Sequence, residues 1–132
     1  MHTLGAFAII FDEKSQVLLC HRTDKDLWNL PGGRVEIGES PWGAVIREVH
    51  EEVGLEIRVE RLLGVYSVPE RRDLVFNFLC MKTGGTLTCS AEADEIGWFK
   101  QNSLPANTVQ RHIERINDAY SGNAAVFTRT QA

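Results

Sequence analysis

The chain has 132 residues, of which 43% are hydrophobic and 24% are charged, values typical of one globular domain that needs no disulfide or structural metal. Its net charge of −4 argues against nucleic-acid binding, and no apolar run approaches the roughly 18 residues of a membrane-spanning helix. Three scattered cysteines and the lack of a basic signal segment at the N-terminus indicate free thiols in a cytoplasmic protein.

The first predicted elements are two strands. The continuous apolar run over residues 4–11 is too short for most helices and predicts a buried strand. Residues 12–15 are typical of a turn and residues 16–22 predict a second strand, so we expect a hairpin. Irregular structure is expected over 23–34, because the sequence Pro31-Gly32-Gly33 disfavours regular structure.

The strongest helix signal in the chain covers residues 41–53. Ser40 is a good N-cap, Pro41 suits the first helical position, and Gly54 suits the left-handed residue that ends a helix. Apolar residues at helical spacing predict one face that packs on the core: Val45, Ile46, Val49 and Val53.

Three further strands are predicted after this helix, over residues 56–68, 73–82 and 96–99. Residues 82–87 (KTGGTL) predict a tight turn, because a Gly-Gly pair can adopt the positive φ values of a two-residue hairpin loop.

The last predicted element is a helix that begins after Asn107 or Thr108 and ends at Gly122. It carries an apolar face of Val109, Ile113, Ile116 and Tyr120. We expect the domain to span residues 1–122 and residues 123–132 to form a loose tail. The element order predicts an α/β fold with a mixed sheet and a helix on either side.

The helix over 41–53 concentrates acidic residues on one face. Glu48, Glu51 and Glu52 are spaced i, i+3, i+4, and Arg47 lies four residues before Glu51, near enough to pair with it. The cluster is either a solvated acidic surface or a site for a divalent cation, because three carboxylates become favourable together once Mg²⁺ lies among them. A bound cation would also allow an acidic protein to bind a polyphosphate.

The spacing of these residues resembles the Nudix box over its full 23 residues: Gly33, five residues, Glu39, seven residues, Arg47-Glu48-Val49, one residue, Glu51-Glu52, one residue, Gly54-Leu55. The similarity extends to LWNLPGG before the box and AEADEIGWF after it. The resemblance implies a Nudix-type α/β/α sandwich with a central mixed sheet. It also implies a hydrolase that uses Mg²⁺ or Mn²⁺ to cleave a nucleoside diphosphate linked to another moiety.

The resemblance also implies roles for individual residues. Metal ligands would be Glu48, Glu52 and the backbone carbonyl of Gly32, with Glu51 as a further ligand or the general base. Arg47 would orient a box glutamate, Glu95 is a candidate for the base or for an extra metal ligand, and Gly33, Glu39 and Gly54 would be structural.

Residues outside the box give two open interpretations. Arg71 and Arg72 could clamp a phosphate or belong to a solvated loop, and Trp28 could stack on a base or lie in the core. ADP-ribose-like substrates or nucleoside triphosphates fit the family. A nucleotide-sensing module without turnover is the alternative to an enzyme, and a homodimer is the assembly that many relatives adopt.

Overall fold

Two β-sheets and two α-helices make up the fold in the computed structural model, which describes residues 2–132. The strands are β1 (Thr3–Ile10), β2 (Val17–Arg22), β3 (Trp28–Asn29), β4 (Gly32–Arg34), β5 (Leu55–Val68), β6 (Asp73–Gly85), β7 (Ala93–Phe99) and β8 (Phe127–Thr130). The helices are α1 (Pro41–Val53) and α2 (Gln110–Tyr120), with short 3₁₀ turns at Pro69–Arg71 and Gln101–Ser103.

The larger sheet is mixed and has the order β4-β1-β6-β5-β8, whereas the smaller sheet, β3-β2-β7, is antiparallel. Neighbouring residues of β1 face opposite sides: Ile10 packs in the core cluster that contains α1, and Ile9 packs in the cluster that contains α2. The sheets therefore lie between the two helices, and the predicted α/β/α sandwich with a mixed sheet is confirmed. No helix among residues 2–132 is long and apolar enough to cross a membrane.

Helix α1 begins and ends where the sequence predicts. The Ser40 side chain accepts a hydrogen bond from the Gly43 amide at 3.0 Å, and Gly54 is left-handed with φ of 80°. A side chain on Gly54 would also collide with the Thr86 carbonyl, since its Cβ would lie 2.5 Å away. Of the predicted apolar face, Ile46 is 41% exposed and the other members are buried.

Two glycine pairs lie in strands rather than in loops. Gly32 and Gly33 pair with Phe7 and Ala6 of β1, so the prediction of irregular structure there is wrong. Only glycine fits at Gly32, because φ is 150° and a Cβ would lie 2.4 Å from the Ala6 carbonyl oxygen. The predicted tight turn over 82–87 is also wrong, since β6 continues through residues 84–85 against the start of β5.

The C-terminal residues are part of the fold, and the prediction of a loose tail is wrong for 127–131. Phe127–Thr130 forms β8, which pairs in parallel with β5. Gln131 is 4% exposed, donates to the Arg111 carbonyl at 3.0 Å, and accepts from Arg115. A polar segment is thus held by backbone pairing and by one buried amide, neither of which composition reveals.

Candidate active site

Three carboxylates converge at one end of α1. Glu48 and Glu52 come from the helix and Glu92 from the segment just before β7, and one oxygen of each lies within 4.8 Å of the others. Like charges at this separation repel, so the arrangement suits a bound cation, and carboxylate oxygens are the ligands that hard divalent cations prefer. A cavity of about 430 Å³ opens beside them, with Phe7, Arg22, Asn29, Gly32, Glu52 and Glu92 among its walls.

Glu52 is the buried member of the cluster, with 7% of its surface exposed. Its Oε1 accepts from the Cys20 thiol at 3.1 Å and from the Gly32 amide at 3.3 Å. Burial raises the pKa of Glu52 to about 7, and the charges of Glu92 and Glu48 act in the same direction. No cationic side chain among residues 2–132 bonds to this carboxylate, and a bound metal ion would compensate its charge.

Gly33 makes room for the Glu48 carboxylate. A Cβ at Gly33 would lie 2.6 Å from Glu48 Cδ, so only glycine lets this side chain reach the cluster in the observed position. Burial raises the pKa of Glu48, while the hydrogen bond and charge of Arg47 partly offset that effect. The invariable spacing between Gly33 and Glu48 in the box motif thus has a direct steric reason here.

We expect Gly33→Ala to displace the Glu48 carboxylate without unfolding the protein, because the obstructed group is the end of a flexible side chain. The metal-free melting temperature should stay within a few degrees of wild type, whereas the affinity for Mg²⁺ and the turnover should both fall by about tenfold or more. Thermal melts over a series of Mg²⁺ concentrations measure the first two quantities, and product release measures the turnover. Gly5→Ala is the matched control, because its Cβ would make ordinary contacts of 3.4–3.5 Å with Phe7 and Val75; equal effects of the two substitutions would contradict the prediction.

Arg47 holds the loop before α1 against the helix. Its Nε and Nη2 donate to the two oxygens of Glu39 at 2.6 and 2.8 Å, and Nη2 also donates to the Arg34 carbonyl at 3.2 Å. This bidentate bond holds the pKa of Glu39 at about 2. Nη1 donates to Glu48 at 3.1 Å and to Glu51 at 3.2 Å, so a single guanidinium orients three box glutamates.

The structure does not bring Glu51 or Glu95 into the cluster. The Glu51 side chain is 57% exposed and bonds to Arg47. Glu95 pairs with His21 across β7 and β2, and Cys20, next to His21, pairs with Ile96. Because successive residues of a strand face opposite sides, Glu95 faces away from Cys20 and therefore from Glu52.

The acidic residue that the sequence interpretation missed is Glu92. Glu92 lies three residues before Glu95 in the same segment, AEADEIGWF, and directly before the buried Ala93 that begins β7. The change from polar residues to a strand at Ala93 is the sequence signal that could have indicated Glu92. Choosing between Glu92 and Glu95, however, requires the register of β7 on β2.

The other predicted binding residues separate into different environments. Trp28 is 8% exposed and packs edge-on against His21 and Phe99, so it belongs to the core and not to the cavity wall. Arg72 is exposed in a left-handed turn with φ of 54°, whereas Arg71 lines a second cavity. The three cysteines are free thiols as predicted, Cys20 and Cys80 buried and Cys89 exposed.

Comparison with known proteins agrees with the fold and the motif. The NUDIX domain family model matches residues 1–119. A Bacillus subtilis (strain 168) protein named "Putative 8-oxo-dGTP diphosphatase" is 38% identical over 123 residues, covering 92% of this chain and 83% of the relative. An ADP-ribose pyrophosphatase of Methanocaldococcus jannaschii is 39% identical over 112 residues, covering 80% of this chain and 66% of the relative.

Solved structures show the same architecture. The crystal structure of an ADP-ribose pyrophosphatase from Streptococcus suis has a TM-score of 0.79 and 27% identity, covering 99% of this chain and 100% of that one. A NUDIX hydrolase from Nitrosomonas europaea has a TM-score of 0.86 at 20% identity, covering 98% of this chain and 78% of that one, which supports the fold alone. The chain belongs to the NUDIX family and is a Nudix-type pyrophosphohydrolase. Nudix enzymes generally use a divalent metal, and the acidic cluster is where this chain offers ligands for one.

Proposed function

We propose that this protein catalyses the Mg²⁺-dependent hydrolysis of a pyrophosphate bond in a nucleoside diphosphate that is linked to another moiety. The observation that carries the proposal is the convergence of Glu48, Glu52 and Glu92 beside a cavity of about 430 Å³. The names of relatives, 8-oxo-dGTP diphosphatase and ADP-ribose pyrophosphatase, support a nucleotide substrate. Mn²⁺ suits the same oxygen ligands.

Each residue of the site would have a separate role in the reaction. Glu48 and Glu52 would hold the metal, which when bound neutralises charge on phosphoryl oxygens and lowers the pKa of water. Cys20 and the Gly32 amide bond to Oε1 of Glu52, which leaves its other oxygen available to a metal. Arg22 lines the same cavity and offers a positive charge to the phosphates. Glu92, the exposed member of the cluster, would take the proton of the attacking water, and Glu51 stays the alternative base.

An assay of phosphate or nucleoside monophosphate release across a panel of nucleotides tests the proposal. The panel contains nucleoside triphosphates, 8-oxo-dGTP, ADP-ribose and a nucleotide sugar, each with Mg²⁺ and with EDTA. We expect hydrolysis of at least one substrate in Mg²⁺ and none in EDTA. Intact substrates throughout, together with tight nucleotide binding by calorimetry, would instead favour the nucleotide-sensing module.

The two acids before and within β7 give a sharper test of the geometry. Glu92→Gln should lower kcat by about 10²–10⁴-fold, because it removes either the base or a ligand charge from the cluster. Glu95→Gln should leave kcat within about twofold of wild type, since Glu95 faces the other side of the sheet. Steady-state kinetics of both variants decide the matter, and a large loss in Glu95→Gln alone would reverse the assignment.

Two features of the whole protein stay predictions. A cytoplasmic location is expected from the cysteines and the N-terminal sequence, and a homodimeric assembly is what the family resemblance implies.

A further inference from the structure

Glu92 is the member of the carboxylate cluster that lies outside the helices and strands. The other two members are fixed by the period of α1, whereas residues 86–92 connect β6 to β7 without regular structure. The Ser90 hydroxyl oxygen accepts hydrogen bonds from the amides of Glu92 and Ala93, at 3.3 and 3.2 Å, and closes a local turn. This turn shapes the segment but does not set its distance from α1, so the position of Glu92 depends on contacts with other elements.

The loop between β2 and β3, residues 23–27, makes such contacts. The Thr23 amide donates to the Glu92 carbonyl at 3.3 Å, and the Thr23 hydroxyl donates to the Ala91 carbonyl at 2.8 Å. Strand pairing between β2 and β7 ends one residue earlier, at Arg22, after a shift in register. Thr23 therefore continues the contact between the two elements as far as the residue whose side chain enters the cluster.

His21 joins the same loop to β7 at a second point. Its Nδ1 bonds to Asp94 and its Nε2 to Asp26, both at 2.7 Å. An ionised carboxylate only accepts hydrogen bonds, so both ring nitrogens are donors and the ring is an imidazolium. Asn107 donates to the Asp26 carboxylate at 3.0 Å and so holds the far end of this contact in place. One cation thus connects the β2–β3 loop to the second residue after Glu92.

The surroundings of His21 favour the charged ring. The charged side chains that face it from neighbouring elements are Asp26 of the loop and Asp94 and Glu95 of β7, the last of which pairs directly opposite His21. Trp28 of β3 packs edge-on against the ring at 5.4 Å and carries no charge. The hydrogen bonds to Asp26 and Asp94 raise the pKa of His21, so the contact is complete at neutral pH.

We propose that Thr23 and His21 are positioning residues that hold Glu92 at the carboxylate cluster, because together they fix the segment that carries it. The Thr23 hydroxyl is engaged by a backbone carbonyl. His21 faces away from Glu52, since Cys20, the neighbouring residue of the strand, bonds to Glu52. A displacement of about 1 Å at a catalytic group is enough to lower a rate by about 10²-fold. The inference rests on the proposed function, because it takes Glu92 to be the base or a metal ligand.

Substitutions of Thr23 test the first contact. Thr23→Val removes the hydroxyl donor at nearly constant volume, and Thr23→Ser keeps it. Amide hydrogen exchange in EDTA, measured by NMR, reports on the contact without metal and without turnover. In Thr23→Val the protection factors of the amides at positions 23, 92 and 93 should fall by about tenfold, with a melting temperature within a few degrees of wild type. With Mg²⁺ and substrate, kcat should fall by about tenfold or more while KM stays within about twofold, and Thr23→Ser should restore both quantities.

Thr88→Val is the matched control for this substitution. The Thr88 hydroxyl also donates to a backbone carbonyl at 2.8 Å, but its partner is Thr86 in the same segment. This bond does not join the segment to the β2–β3 loop, so protection factors and kcat should match those of the wild type. Equal losses in Thr23→Val and Thr88→Val would overturn the inference.

Substitutions of His21 test the second contact through its charge. Because the pKa of His21 is raised above 6.5, the imidazolium contributes fully below about pH 6.5, and its contribution is lost as pH rises through the raised value. Protection of the amides at positions 23 and 92, relative to intrinsic exchange, should therefore fall in the wild type between pH 7 and pH 9. His21→Arg stays charged and should keep this protection at pH 9, whereas the uncharged His21→Gln should show low protection at both pH values.

The outcomes separate this inference from the proposed hydrolysis. Equal protection in the wild type, Thr23→Val and His21→Gln, or a loss of kcat without a loss of protection, would overturn the inference and leave the hydrolysis intact. If Thr23→Val fails to fold, the comparison of His21→Gln with His21→Arg decides the matter. Absence of hydrolysis by the wild type, together with the losses of protection described above, would reject the proposed function and support the two contacts.

Discussion

Replacing Glu52 with glutamine is expected to raise the melting temperature of the metal-free protein at pH 8 and to abolish hydrolysis. Glu52 is 7% exposed, and burial raises its pKa from 4.5 to about 7. Ionising this carboxylate in the folded protein therefore opposes folding, by about 3 kcal/mol at most for a pKa change of this size. Glutamine keeps an oxygen for the Cys20 thiol and the Gly32 amide but carries no charge, so the penalty disappears.

The pH dependence of this effect follows from the direction of the shift. The folded protein holds a proton on Glu52 more tightly than the unfolded chain does, so the stability of the metal-free wild type falls as pH rises from about 4.5 to about 7. Below pH 4.5 the group is protonated in both states and the two proteins should melt alike. The difference in melting temperature in favour of Glu52→Gln should grow between about pH 4.5 and pH 7 and stay constant at higher pH. Melts of both proteins from pH 4 to pH 8 measure the difference.

Mg²⁺ should stabilise the wild type more than Glu52→Gln, which is the reverse of the order expected without metal. A ligand at a hundredfold excess over its Kd stabilises the folded state by about 2.7 kcal/mol, so Mg²⁺ should raise the melting temperature of the wild type by several degrees. In Glu52→Gln this shift should shrink sharply, and kcat should fall by about 10³-fold or more. Glu51→Gln serves as the control for stability, because Glu51 is outside the cluster and 57% exposed. A variant that melts lower without metal and keeps its Mg²⁺ shift would show that the acidic face is structural.

The parts of the site that the sequence predicts are those set by local geometry. The bounds of α1 follow from Ser40, Pro41 and Gly54, and helical spacing alone brings Glu48 and Glu52 to one end of the helix. The pairing of Arg47 with Glu51 is likewise a relation between residues four apart. Such relations require only the period of the helix, and for this reason the motif could be interpreted without a structure.

The parts that the sequence does not predict depend on pairing between distant strands. Choosing Glu92 over Glu95 requires the register of β7 on β2, which shifts between His21 and Arg22. The strand at Gly32 exists because β1 lies beside it, and no local signal indicates that partner. The hydroxyl of Thr23 bonds to Ala91, which is 68 positions away in the chain. Strand register and these long-range contacts are properties of the assembled fold.

Removing the Arg47 guanidinium should have the opposite effect on metal-free stability to that of Glu52→Gln. Arg47 bonds to Glu39, Glu48 and Glu51 through its three nitrogens. Arg47→Met would leave Glu39, Glu48 and Glu51 without their shared cation, so repulsion among these carboxylates should increase. Because 26% of the Arg47 side chain is exposed and solvent screens the charge, we expect a loss of only about 1–2 kcal/mol at pH 7. Turnover should fall by about 10²-fold, since Glu48 and the loop before α1 lose their common support.

Melting temperatures at low pH provide a check on this prediction. Arg47 holds the pKa of Glu39 at about 2, against 4.5 for an ordinary glutamate, so the pair stabilises the fold above about pH 4.5 and loses that contribution as pH falls through about 2. The difference in melting temperature between wild type and Arg47→Met should therefore be largest near pH 7 and nearly zero at pH 2. Arg58→Met is the matched control, because Arg58 is an exposed arginine whose guanidinium contacts the Met81 sulfur instead of a carboxylate. Equal melting temperatures and equal kcat values for Arg47→Met and Arg58→Met at pH 7 would show that the guanidinium does not position the box glutamates. The burial of Glu52 and the space at Gly33 alone would then maintain their convergence.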